Sequence, residues 1–141
     1  MRDQELILRF LALFYSSESY RQPMKGFLNS FMSKHRHLTP EQSQEMADIF
    51  LNTIETISEA LGRRAFKLSR VLNAALFDSI MVGVARRLQR GPIKSGEAIR
   101  ERYVALINNQ DFLAVAERAT ANEENLAARL QKATAAFSDI N

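Results

Sequence analysis

The chain has 141 residues, 46% of them hydrophobic and 25% charged, and a mild net charge of +3. That suits one soluble globular domain with a sizeable core, and the absence of Cys excludes disulfides, thiolate catalysis and Cys-based zinc sites. No apolar run approaches the roughly 18 residues of a membrane span, and an N-terminus bearing Asp3 and Glu5 without a small-residue cleavage site does not read as a secretory signal.

The chain opens abruptly with "MRDQELILRFLALFY", where Leu6, Ile7, Phe10, Leu11 and Phe14 recur at helical spacing and Asp3 can cap the helix. An independent domain seldom starts this way. The stripe of Leu6, Phe10 and Phe14 is therefore expected to lie exposed or under a partner, and is a candidate docking surface. After the polar "SSESY", Pro23 sits at a favoured first-turn position for a second helix, with Phe27, Leu28, Phe31 and Met32 on one face. The third start is the best marked. Thr39 is the N-cap, Pro40 follows at N1, Glu41 favours the positive helix end and Gln42 takes the capping-box position. That helix runs through Met46, Ile49, Phe50, Ile54 and Ile57 to Leu61, and Gly62 stops it.

A fourth helix near 71–90 is apolar on most of its circumference. Leu72, Ala75, Leu76, Ile80, Val84 and Leu88 form its main stripe, flanked by Phe77, Met81 and Val82. It is expected to be central and most buried. Ser95 can cap a fifth helix, a short sixth covers roughly 110–118, and Asn122 opens a seventh through Leu126, Leu130, Ala133 and Phe137. No stretch alternates long enough for a strand. The expected fold is an all-α, single-domain bundle of six to seven helices spanning 1–141.

Charge is unevenly placed. Residues 63–102 hold ten Lys/Arg against three acids, while the remainder carries nine basic and thirteen acidic residues. Within that segment Arg63, Arg64, Lys67 and Arg70 precede the central helix, and Arg86, Arg87, Arg90 and Lys94 follow it. These are candidate phosphate contacts on DNA or another nucleic acid; the alternative is a solubilising surface with dipole compensation. His35 and His37 stand two apart, on different helix faces, and read as a solvated helix end rather than metal ligands. Glu55 and Glu59, one turn apart, read as a wet face. Asp78 lies in the most apolar helix, so its carboxylate needs a partner, and one of the chain's many arginines is the expected one; Arg86, Arg87 and Arg90 are expected to pair with carboxylates such as Asp78 or Glu101 if they do not meet phosphates. No P-loop, HExxH or nucleophile elbow occurs. No catalytic residue, metal or cofactor is assigned.

Residues 2–32, "RDQELILRFLALFYSSESYRQPMKGFLNSFM", resemble a stretch of the GmrSD-type restriction family, the ParB/sulfiredoxin-like proteins with a DGQQR motif. "LNAALFDSIM" and "ATANEENLAARLQKATAAF" resemble later landmarks of that family in the same order. The resemblance implies the helical C-terminal half of such a protein. The N-terminal domain, whose DGQQR motif is linked to nucleotide hydrolysis or nuclease action, has no counterpart in this sequence, so no catalytic residue carries over. Three readings follow. The first is a non-catalytic scaffold or interaction module of a restriction or phage-defence protein. Its partner would be the missing catalytic domain or another chain, in a cytoplasmic setting, with a homo-oligomer also open. The second is a nucleic-acid-binding module on the basic segment. The third is a cryptic nuclease centred on Asp78 and its arginines.

Overall fold

Side chains that satisfy the free backbone N–H groups of a first turn mark where helices begin, and five helices of the chain use them. Thr39 Oγ1 accepts from the Gln42 N–H at 3.1 Å while Gln42 Oε1 accepts from the Thr39 N–H at 2.9 Å, a complete capping box. Asn73, Ser95, Asn109 and Asn122 each accept from a backbone N–H three residues on. A computed structural model of the chain describes residues 3–67, 73–117 and 122–141. The helices are α1 (Asp3–Ser16), α2 (Met24–Lys34), α3 (Pro40–Leu61), α4 (Ala74–Leu88), α5 (Gly96–Ile107), α6 (Gln110–Glu117) and α7 (Glu123–Phe137). Single 3-10 segments follow α1 (Ser17–Ser19) and α3 (Gly62–Phe66). Gly62 takes φ +73° at the end of α3, a left-handed value that favours glycine. Among the described residues no strand forms, and the protein is an all-α bundle.

The fourth helix is central. Every residue from Ala75 to Ala85 is buried, which follows from a sequence apolar on nearly all sides. It packs most extensively on α7, then on α1 and α3; α5 lies on α3 and α7, α6 on α7, and α2 on α1. Leu76 is fully buried. Leu76→Ala is expected to lower unfolding free energy by about 2–5 kcal/mol in a denaturant titration, as buried leucines do.

The α4–α7 contact is tight because it is built from small residues. A Cβ added at Gly83 would stand 2.9 Å from the carbonyl carbon and oxygen of Ala133. Gly83→Ala should therefore destabilise by about 1–3 kcal/mol through overpacking. This exceeds the ~1 kcal/mol that Ala ordinarily gains over Gly inside a helix. A raised melting temperature for this variant would refute the close approach.

Four expectations need correction. The α1 stripe is not left bare: Leu6 is 7% exposed, Phe10 is fully buried, and Phe14 is half-buried against the core. The first two are covered within the fold, and Phe10 meets Phe50 of α3 at 6.1 Å between ring centres. The apolar face of α1 is thus largely covered by this chain itself. Met32 does not join the buried face of α2. It follows Phe31 by one position, about 100° further round the helix, and is 48% exposed. Pro23 is the residue before α2 rather than its first, and its carbonyl accepts from the Phe27 N–H at 3.2 Å. The central helix begins at Ala74, after the Asn73 cap, rather than near 71; Leu72 lies outside the described residues.

Candidate functional site

Asp78 is the point where three helices meet through charge. It is buried in α4, and Arg9 of α1 grips its carboxylate with both ends of the guanidinium: Nε donates to Oδ1 at 3.2 Å and Nη2 to Oδ2 at 2.5 Å. Arg129 of α7, fully buried, brings Nη2 to 3.8 Å from the same Oδ2. Burial pushes the Asp78 carboxyl up from its usual range, while the two guanidinium groups pull the other way. Arg9 is held above its ordinary value by Asp78 even though burial opposes this. Arg129 is lowered, chiefly by burial. Tyr20, also buried, is near enough for these charges to bear on it, and burial raises its hydroxyl.

The expected Arg partner for Asp78 is present, but neither cation comes from the basic segment. Both were legible in principle. Arg9 stands three after Leu6 and four before Leu13, and Arg129 stands three after Leu126 and four before Ala133; all four apolar neighbours are buried. A cation at that spacing occupies the inner face of its helix.

Three arginines of the basic segment, Arg86, Arg87 and Arg90, bond within their own chain. Arg87 is buried, and donates from Nε to the Ile140 carbonyl at 2.7 Å and from Nη1 to the Gly91 carbonyl at 2.8 Å. Arg86 donates to the hydroxyls of Thr134 at 2.8 Å and Ser17 at 3.1 Å, and burial lowers its pKa. Arg90 donates to the Ser138 carbonyl. Further along, Arg100 reaches the Ala60 carbonyl at the end of α3 with two nitrogens, and Arg102 reaches the Ala136 carbonyl at 3.0 Å and the Asp139 carboxylate. The last carbonyls of a helix have no intrahelical donor, and guanidinium groups satisfy them well. These arginines therefore tie α5 to the end of α3, and α4 and α5 to the end of α7 and the residues just beyond it.

Of the other tentative contacts, Arg64, Lys67 and Lys94 are exposed. The Arg63 side chain and the whole of Arg70 lie outside the described residues. The structure thus gathers Arg86, Arg87 and Arg90 around the C-terminal end of α7, apart from Arg64 and Lys67 beside the end of α3.

His35 places Nδ1 2.8 Å from the Phe31 carbonyl and rests on the Phe31 ring, at the end of α2; His37 is exposed. Glu55 and Glu59 face solvent. A hollow of about 340 Å³ beside the start of α2 is lined by Ser16, Ser19, Arg21, Ser30 and Lys34, with Phe27 and Phe31 forming its apolar side. Among the described residues, no three His, Asp or Glu side chains come together as a metal set, and no helix is long and apolar enough to cross a membrane. Comparison with protein-family models, with curated proteins and with solved structures finds no match.

Proposed function

We propose that the chain is a non-catalytic helical scaffold of a bacterial restriction or phage-defence protein, holding a catalytic partner that carries the DGQQR motif. One observation carries the reading. The three sequence blocks that resemble the GmrSD-type family contribute one residue each to the same buried cluster: Arg9 from "RDQELILRFLAL", Asp78 from "LNAALFDSIM" and Arg129 from "ATANEENLAARLQKATAAF". Blocks separated along the chain thus have a common physical purpose, the joining of α1, α4 and α7. Elsewhere, arginines of α4 and α5 bind carbonyls at and just beyond the ends of α3 and α7, which suits a rigid support.

The test begins with the reading frame that precedes this one in its genome. The reading expects that frame to encode a DGQQR-bearing polypeptide that co-purifies with this chain, with phage plating reduced only when both are expressed. Metal-dependent cleavage of DNA by this chain alone would overturn the scaffold reading in favour of a nuclease.

A further inference from the structure

We propose that two copies of this chain associate, the outer stripe of α2 from one lying along a trough beside α3 of the other. The inference does not depend on the restriction reading, since it concerns two surfaces of the chain itself.

The first surface is basic. Lys25, Asn29 and Met32 follow one another at helical spacing on the outside of α2, and Arg36 continues the line in the turn beyond it; all four are exposed. From Ser19 to Pro40 the sequence has no Asp or Glu.

The second surface is acidic. α3 carries five carboxylates and no Lys or Arg. Glu41, Glu45, Asp48 and Glu55 are exposed along one side, with Leu51 among them. Two adjoining hollows of about 440 and 480 Å³ share Asp48, Ile49 and Gln89, and run between α3 and the end of α4 at Leu88. Ile49 and Leu88 give this trough an apolar floor. None of its carboxylates is in an ion pair among the described residues; Asp48 accepts from Gln44 Nε2 at 2.7 Å.

The two surfaces match in sign, in length and in their apolar centre. At ~1.5 Å per residue, Glu41 to Glu55 spans about 21 Å, and Lys25 to Arg36 would span about 16 Å if helical throughout. Met32 is 48% exposed and Leu51 51% exposed, so each charged stripe presents one large apolar side chain as an anchor. Within one chain α2 rests on α1 rather than on α3, so the stripe is not already seated in its own trough. A nucleic acid is a poor occupant, because its phosphates would face the carboxylates. A second copy supplies both the cations and the methionine.

Sedimentation velocity of the whole chain, over a range of concentrations at low and high salt, tests this. Wild type is expected to self-associate, more weakly at high salt because exposed charges are screened. Reversing the trough (Glu45→Lys with Asp48→Lys) or the stripe (Lys25→Glu with Arg36→Glu) should each raise the dissociation constant by about a hundredfold, since like charges then face each other. All four positions are exposed, so both variants should keep the wild-type circular dichroism spectrum and melting temperature. Mixed in equal amounts they should associate again, because each variant then finds its opposite. A wild type that stays monomeric throughout would overturn the proposal and leave the trough to a basic segment of another protein. So would association that survives both reversals, or a mixture that stays apart.

Discussion

Asp78→Asn is expected to lower stability by about 3–5 kcal/mol, the cost of removing one partner from a buried ion pair. The substitution keeps the shape of the side chain and leaves an oxygen to accept one hydrogen bond. What it removes is the negative charge shared by Arg9 and Arg129, whose guanidinium nitrogens lie at 2.5 and 3.8 Å from it. Arg129 is fully buried and the Arg9 side chain is 11% exposed, so neither cation can turn to water without opening α1 or α7 away from α4. Two like charges would then share a site of low polarity. Urea titration of wild type and variant measures the difference. A loss below about 1 kcal/mol, within the range of an exposed pair, would show that the joint is held by packing and not by charge.

The triple replacement of Arg86, Arg87 and Arg90 by Gln is the second large effect. Arg87 alone gives two short bonds to carbonyls from a buried position, and hydrogen bonds of charged donors contribute about 1.5–3 kcal/mol each. Gln is shorter and neutral, so these carbonyls lose their donor while staying inside. A total loss of about 3–5 kcal/mol is expected, most of it from Arg87. Binding to DNA, measured by filter retention at two salt concentrations, should change little, because these side chains already face carbonyls and hydroxyls of their own chain. Tight, salt-sensitive binding that disappears in a stably folded triple variant would instead assign the three arginines to phosphates.

The architecture was largely legible because its signals are local. Thr39 with Gln42, Ser95 and Asn122 announced helix starts through side chains that reach only a few residues, and the near-continuous apolar surface near residues 71–90 marked the central helix, though not its first residue. Partnerships were less legible. Asp78 plainly needed a cation, yet the one that grips it stands 69 residues away; distance along the chain carries no penalty once the helices are packed. The basic segment hid the inward bonds of Arg86, Arg87 and Arg90 for a different reason. Its density of charge suggested a polyanion, but a guanidinium is equally satisfied by a helix-end carbonyl, and every residue has a carbonyl that the one-letter sequence does not mark. The apolar stripe of the first helix stands at the start of the chain, and the elements that cover it, α2, α3 and α4, all come later in the sequence.

The wrapping of α4 also has a consequence for how the protein is made. Its most extensive neighbour, α7, is translated later, and the carboxylate in its middle receives one cation from α1 and comes near another from α7. A nascent chain that has left the ribosome only as far as α5 therefore presents a helix with apolar residues all round and an incomplete charge cluster. Local helix formation cannot hide that surface, because hiding it requires contacts from both sides. Folding must wait until α7 has emerged, and until then the growing chain is a natural client for chaperones that bind exposed apolar segments.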